Sequence, residues 1–283
     1  MIDRNYLNAF IDRALQEDIG DGDHTSLACI PTQNEGKAQL LVKEKGLLAG
    51  VEVAQQVFSR FDQSLRTTVF ITDGEKIYPG DVVLTVEGRT ISILQCERLI
   101  LNIMQHMSGI ATQTNLYVEK IAGTSAKLLD TRKTTPGMRL LDKEAVRIGG
   151  GNNHRIGLFD MILIKDNHID FAGGIEKAID TVNNYLKKHN KMLKIEIEAR
   201  NLSDVERILK HKMVHRIMFD NFDIETTRKA VEMVNRQFET ESSGNINLNN
   251  ICDYALCGVD FISVGALTHH IKGLDMSLKA VEI

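Results

Sequence analysis

Apolar side chains along this chain follow two rhythms, and the change between them falls near residue 126. Before it, Tyr6, Leu7, Phe10, Ile11, Ala14 and Leu15 repeat at helical spacing and predict an amphipathic helix over residues 3–16. Gly20, inside the polar run Glu17-Asp18-Ile19-Gly20-Asp21-Gly22-Asp23, is a natural stop. Strand-like runs follow at 37–42, 65–71 and 82–86, broken by Asp73-Gly74 and Pro79-Gly80-Asp81. A helical stretch at 51–61 lies among them. A long helical pattern then runs from 93 to about 121, with an interruption expected at Ser108-Gly109. Together these elements predict an α+β region, a small antiparallel sheet with helices.

After residue 126 short β-like runs recur at 127–130, 161–164, 194–198, 216–219, 237–241 and 261–264. Helical patterns separate them at 139–148, 175–188, 203–210, 224–235 and 248–257. Strands alternating with helices imply right-handed βαβ units and a parallel sheet. About 150 residues is short for eight such repeats, so an incomplete α/β barrel of six or seven strands is expected.

Each of these strands runs into polar or glycine residues. The first meets Thr131-Arg132-Lys133-Thr134-Thr135 and the second Lys165-Asp166-Asn167-His168. The third ends at Glu198, with Glu196 two residues back on the same face, and the fourth at Asp220-Asn221. The fifth meets Ser242-Ser243-Gly244-Asn245 and the sixth Gly265-Ala266. Loop polarity explains one or two such cases. Six together point to a ligand mouth, because parallel α/β folds bind at the carboxyl ends of their strands.

The charges at this mouth are specific. Arg132, Lys133, Arg155 and Lys165 form a basic set, with Arg139, Arg147 and His154 near in sequence and few acids beside them. Buried cations need counter-charge, and planar guanidiniums suit carboxylates or phosphates, so a dicarboxylate or a phosphate is the expected ligand. Arg139, Lys143 and Arg147 read equally well as the solvated face of an exposed helix. Glu198 and Asp220 are candidates for Mg²⁺ or for sugar hydroxyls. The rival reading, a glycosidase-like acid/base pair, does not suit such basic surroundings. The small residues Ser243-Gly244-Asn245 and Gly265-Ala266 would let phosphate oxygens approach backbone N–H groups.

Other features read as structure. His211 and His215 have i, i+4 spacing but no third ligand. Cys252 and Cys257 suit a helix core, Asn201 suits a helix start, and Arg98 on an apolar helix reads as a surface cation.

Composition works here by exclusion. The 283 residues, 43% hydrophobic and 25% charged with 3 Pro, are those of a globular protein rather than a disordered one. No apolar run reaches the roughly 20 residues of a spanning helix, and Met1-Ile2-Asp3-Arg4-Asn5 lacks a signal-peptide core. Four cysteines without a CxxC pair suggest reduced thiols in the cytoplasm. A net charge of -4 gives no electrostatic case for nucleic acid or an acidic membrane. Neither GxGxxG after a first strand nor a P-loop motif occurs. The expectation is a soluble cytoplasmic enzyme.

At Asp130-Thr131-Arg132-Lys133-Thr134-Thr135-Pro136-Gly137 and Gly149-Gly150-Gly151-Asn152-Asn153-His154-Arg155 the chain resembles the quinolinate phosphoribosyltransferase family, also called nicotinate-nucleotide pyrophosphorylase (carboxylating). Further matching segments run in family order over almost the whole chain: 17–23, Glu97-Arg98, 106–111, 164–168, 195–198, 219–221, 243–246 and 263–266. The resemblance implies an open α/β sandwich, residues 1–108 with 270–283 packing back, and an incomplete β/α barrel at 109–269. It implies that quinolinate and phosphoribosyl pyrophosphate give nicotinate mononucleotide, pyrophosphate and CO2 in NAD biosynthesis, with Mg²⁺ required.

By motif, Arg132, His154, Arg155 and Lys165 resemble the quinolinate site, joined by Arg98 from the other subunit of a homodimer. Lys133, Glu198 and Asp220 resemble ligands of phosphoribosyl pyrophosphate and its magnesium, and Thr131 is counted among the substrate-binding residues. The backbones of Ser243, Gly244 and Asn245 and of Val264, Gly265 and Ala266, with His269, resemble the phosphate contacts. The resemblance implies no covalent nucleophile. Competing readings are a barrel aldolase with Lys165 as Schiff base, a non-catalytic sensor of anionic metabolites, and a paralogue that uses nicotinate.

Overall fold

The computed structural model describes residues 2–281. In chain order the elements are α1 (Arg4–Ile19), α2 (His24–Cys29), β1 (Glu35–Val42), β2 (Gly46–Leu47), α3 (Val51–Phe61), β3 (Arg66–Val69), β4 (Lys76–Ile77), β5 (Val82–Arg89) and α4 (Thr90–Lys120). They continue as β6 (Lys127–Leu129), α5 (Arg139–Ile148), β7 (Ile162–Ile164), α6 (Asp166–Ala172), α7 (Ile175–Lys188), β8 (Ile195–Ala199) and α8 (Leu202–His211). The last are β9 (Arg216–Asp220), α9 (Ile224–Val234), β10 (Glu239–Ser243), α10 (Ile251–Leu256), β11 (Phe261–Ser263), α11 (Ala266–His269) and β12 (Met276–Val281).

One compact unit comprises residues 2–115, 135–150 and 270–281. Its antiparallel sheet has the order β12-β1-β5-β3. Ala38, Leu40 and Val42 alternate along β1 and are buried, with Leu40 opposite both Leu278 and Leu84. β12 has no counterpart among the predicted strands. It pairs with β1 from the other end of the chain, a relationship that no local pattern carries.

The expected break in α4 is absent, and the helix is continuous through Ser108 and Gly109. Both residues serve close packing instead. Ser108 Oγ accepts from the Ala49 N–H (2.9 Å) and donates to the Ala49 carbonyl (3.1 Å). A Cβ on Gly109 would stand 2.3 Å from the Lys272 carbonyl oxygen.

α5 belongs to this unit, whereas the sequence pattern grouped it with the barrel. Lys143, expected on an exposed face, is buried at 2% exposure beside the fully buried Asp142. Asp142 accepts from the Thr135 N–H (2.8 Å) and stands 2.7 Å from His106 Nε2.

The other unit, residues 116–134 and 151–269, holds six parallel strands in the order β6-β11-β10-β9-β8-β7. From β7 to β11 spatial order follows chain order, and the first strand, β6, lies beside the last. That is the cyclic order of a β/α barrel left open between its first and second strands. Across the opening Leu129 bridges to Asn152, and the Asp130 N–H donates to the Asn152 carbonyl (3.1 Å). Outside, α7, α8 and α9 bury Ile179, Val205, Ile208, Ala230 and Val234.

Two local expectations change here. The segment after Ile164, to which the sequence pattern assigns no element, is the short helix α6; its first turn is too polar to show an apolar period. β10 continues through Ser243, so Ser242 and Ser243 are strand residues.

Candidate active site

β8 reads Ile-Glu-Ile-Glu-Ala, and all five residues are buried. Side chains alternate across a strand, so Ile195, Ile197 and Ala199 share one face and Glu196 and Glu198 the other. The same alternation puts Arg216, Met218 and Asp220 on one face of β9, and Glu239, Glu241 and Ser243 on one face of β10. The barrel interior is therefore charged.

At the carboxyl end of β8, Glu198 Oε2 accepts from the Asp166 N–H (3.0 Å), and Oε1 lies 3.6 Å from Lys165 Nζ. Asp220 ends the adjacent strand β9, two residues beyond Met218, the register partner of Glu198. Glu196 lies deeper in the barrel and is fully buried.

The loop after β6 carries the first cations. Lys133 N–H donates to Thr131 Oγ1 (3.1 Å), and the Lys133 carbonyl accepts from Thr268 Oγ1 (2.7 Å). The second bond ties that loop to α11, at the end of β11. A Cβ on Gly265 would stand 3.0 Å from both Lys133 Cδ and His269 Nε2, so Lys133, Gly265 and His269 come together. Val264 is buried beneath them, and Ala266 starts α11.

The end of β10 is built around Asn221. A Cβ on Gly244 would be 2.2 Å from Asn221 Oδ1, and Gly244 has φ +93°. Asn245 Nδ2 donates to the same oxygen (3.1 Å), and Ser243 Oγ lies 3.0 Å from Ser263 Oγ. Asn221 and Asn245 both adopt positive φ, where Asn is the best tolerated non-glycine residue. The result is a turn of backbone with little side-chain bulk over it.

Arg132 and Arg155 are electrostatic neighbours. Burial first, and then the Arg132 charge, hold the Arg155 guanidinium below its ordinary pKa, against the pull of Glu196, Asp160 and Glu198. Arg132 Nε is buried with no hydrogen-bond partner among the described residues. Arg155 Nη1 donates to the Met161 carbonyl (3.2 Å).

His154 is buried, with both ring nitrogens turned to protein groups. Nδ1 accepts from the Arg155 N–H (2.7 Å), and Nε2 lies 2.9 Å from Glu196 Oε2. Arg98 is exposed on α4.

Sequence reasoning missed the groups that support this mouth. Arg216 Nη1 donates to Glu241 Oε2 (2.8 Å), and Nη2 donates to Glu239 Oε2 (3.1 Å). Burial pushes both Glu196 and Glu241 above the carboxylate range; Arg216 opposes this for Glu196, and the Glu196 charge reinforces it for Glu241. The available signal was charge at alternate positions in β8 and β9, whose intervening residues are all apolar. His211 and His215 serve separate partners, Asp180 Oδ1 (2.8 Å) and the Ile195 N–H (3.0 Å). Asn201 caps α8 by accepting from the Asp204 N–H (3.0 Å), as its position suggested.

Fold and strand-end chemistry define an α/β-barrel enzyme for small polyanionic substrates. Models of the quinolinate phosphoribosyl transferase N-terminal and C-terminal domains match residues 23–108 and 110–279. The chain is 46% identical to the chloroplastic nicotinate-nucleotide pyrophosphorylase [carboxylating] of Arabidopsis thaliana, over 96% of this chain and 82% of that protein. It is 45% identical, with the same coverage, to quinolinate phosphoribosyltransferase [decarboxylating] 1b of Nicotiana tabacum. The crystal structure of NadC from Streptococcus pyogenes superposes with a TM-score of 0.93 at 36% identity, covering 100% of this chain and 99% of that one. The chain belongs to the quinolinate phosphoribosyl transferase family. It is an enzyme of the pentosyltransferase class.

Proposed function

We propose that this chain transfers the phosphoribosyl group of phosphoribosyl pyrophosphate to the ring nitrogen of quinolinate, with loss of CO2, to make nicotinate mononucleotide. The observation that supports this reading most directly is the Arg132–Arg155 pair, two mutually repelling guanidiniums with a buried, unpartnered Nε on Arg132. A dicarboxylate supplies both the missing acceptor and the missing charge. Lys165 adds a third cation, and His154 adjoins through its bond to the Arg155 amide.

The phosphoribosyl donor is assigned to the glycine-lined ends of β10 and β11. Backbone at Ser243, Gly244 and Asn245 and at Val264, Gly265 and Ala266 takes the phosphates, with Lys133, Thr131 and His269 beside it. Glu198 and Asp220, hard oxygen donors at neighbouring strand ends, fit Mg²⁺, whose remaining positions suit water and pyrophosphate oxygens. When bound, the ion supplies charge neutralisation for the leaving group.

In the reaction the bond from C1′ to the pyrophosphate oxygen breaks and the quinolinate nitrogen lone pair forms the new bond. Lys133 faces the departing charge, while the carboxylates offset the developing cation on the ribose ring. Arg132, Arg155 and Lys165 orient the ring so that its nitrogen meets C1′, a positioning task that needs no covalent nucleophile. The quaternised ring then accepts the electron pair of the adjacent C–CO2 bond. A proton from solvent replaces the carboxyl group.

Arg98, exposed on α4, is assigned to the site of a second copy in a homodimer. The chain has no helix long and apolar enough to cross a membrane among the described residues. Its four cysteines are free thiols, and we place the enzyme in the cytoplasm.

The deciding experiment measures pyrophosphate and CO2 from quinolinate, phosphoribosyl pyrophosphate and Mg²⁺, with nicotinate as a parallel acceptor. Equal release of both products with quinolinate alone is expected. Pyrophosphate without CO2 from nicotinate would identify a paralogue instead, and silence with both acceptors would remove the proposal.

A further inference from the structure

Lys133 lies in the loop beyond β6, where no strand ladder satisfies its backbone. Its N–H and its carbonyl are both held, each by a threonine hydroxyl. The N–H donates to Thr131 Oγ1 (3.1 Å), a local turn of a kind that threonine commonly closes. The carbonyl accepts from Thr268 Oγ1 (2.7 Å), which comes from α11, 135 residues further along the chain.

Thr268 is buried, and a hydroxyl has one proton to give. In a helical turn threonine ordinarily turns that proton back on its own backbone. The Gly265 carbonyl offers this at 3.3 Å, but the Lys133 carbonyl is closer, at 2.7 Å. The hydroxyl is therefore diverted from its own turn to hold another segment. The Lys133 side chain runs over the same turn, since a Cβ on Gly265 would stand 3.0 Å from Lys133 Cδ. Gly265 does not have a positive φ, so its small size serves this close approach alone.

We propose that Thr268 is a positioning residue for Lys133: its hydroxyl fixes the Lys133 carbonyl, and with it the direction in which the ammonium group leaves the loop toward the phosphoribosyl donor. This rests on the assignment of Lys133 to the departing pyrophosphate made above. A lysine head sits on a flexible four-carbon stem, so it is aimed only if the backbone that carries it is fixed first. Two threonine hydroxyls pin the peptide groups on either side of the Lys133 Cα. Gly265 then leaves the stem a track along the backbone assigned to the phosphates.

The test uses the full chain with Mg²⁺ and a pair of variants. Thr268→Val keeps the branched shape and loses the hydroxyl, whereas Thr268→Ser keeps the hydroxyl. Thr268→Val is expected to raise the Kd for phosphoribosyl pyrophosphate about tenfold by isothermal titration and to lower kcat about tenfold, because a misplaced charge costs binding and rate together. The quinolinate KM should stay within about twofold of wild type, and Thr268→Ser should match the wild type in all three. In a Lys133→Ala background the loss of affinity on adding Thr268→Val should vanish, because no ammonium is left to misplace. Thr131→Val, at the other bond, carries the same expectations and covers a failure of Thr268→Val to fold.

The proposal is overturned if Thr268→Val binds phosphoribosyl pyrophosphate like the wild type, if Thr268→Ser is as weak as Thr268→Val, or if the loss persists in full without Lys133. Weakening of both substrates together with a falling Tm would overturn it too. Hydrogen exchange at the Lys133 amide is read without substrate and should quicken in Thr268→Val but not in Thr268→Ser. If it does so while the wild type binds no phosphoribosyl pyrophosphate, the functional reading alone has failed.

Discussion

A methyl group on Gly244 would stand 2.2 Å from Asn221 Oδ1, so the end of β10 closes only around a residue with no side chain. Asn221 cannot retreat freely, because Asn245 Nδ2 also holds that oxygen at 3.1 Å. Gly244→Ala should therefore displace both asparagines, in addition to roughly 1–3 kcal/mol of strain for a side chain at positive φ. We expect kcat/KM for phosphoribosyl pyrophosphate to fall about 10–100-fold and quinolinate binding to change little. Isothermal titration with each substrate separates the two effects.

The guanidiniums at the mouth make a different prediction. Arg132→Lys and Arg155→Lys keep the charge but lose the planar fork that matches a carboxylate. Each should raise the quinolinate KM about 10–100-fold, the cost of one or two charge-assisted hydrogen bonds. Steady-state kinetics with a saturating second substrate checks this, and an unchanged quinolinate KM in both variants would move the acceptor elsewhere.

Chelation should stop pyrophosphate release, and added Mg²⁺ should restore it. Asp220→Asn removes one of two candidate ligand charges, so the Mg²⁺ concentration for half-maximal rate should rise about tenfold or more. A magnesium titration of both proteins measures this.

The second-copy role of Arg98 predicts complementation. Mixed and reassociated Arg98→Ala and Lys133→Ala proteins would place one intact site in each mixed dimer. Random pairing then recovers about a quarter of wild-type activity from two inactive parents. No recovery, with mixed dimers demonstrated by mass spectrometry, would place Arg98 in the site of its own chain.

A pH dependence follows from Asp73. Its Oδ1 accepts from the Val51 N–H at 2.9 Å, at the start of α3. Burial, reinforced by Glu52 and only partly offset by that bond, raises its pKa to about 6. A carboxyl raised on folding favours the protonated folded state, so its contribution is fully present below the unfolded pKa and is lost as pH rises through about 6. Asp73→Asn keeps the acceptor and removes the charge. It should stabilise the protein by about 1–3 kcal/mol at pH 8 and by little below pH 4. Urea titrations at the two pH values test it.

Much of the barrel was legible because each βα unit carries its own signal. The barrel helix at Ile175–Lys188 has the expected bounds, since an amphipathic stripe is a local property; so has the helix at Arg139–Ile148, although it belongs to the other unit. The polar strand ends were equally visible. Arg132, Lys165, Glu198 and Asp220 each follow an apolar run that has to be a strand.

What could not be read locally lies in pairings between distant segments. β12 was invisible because its partner β1 is more than 200 residues away in the chain. Ser108-Gly109 looked like a helix break because small residues signal either a bend or a close neighbour, and only packing against Ala49 and Lys272 tells which.

The barrel interior shows the division most clearly. Alternation placed Glu196 and Glu198 on one face of a strand. It could not place Arg216 beside Glu196 or turn His154 toward them both. The sequence by itself determined the element types, their order and the polar residues at each strand end, because backbone periodicity and turn chemistry act over a few residues. Only the tertiary structure decided which charges neutralise one another, because Coulomb and hydrogen-bond energies depend on distances in space that curling the sheet into a barrel creates.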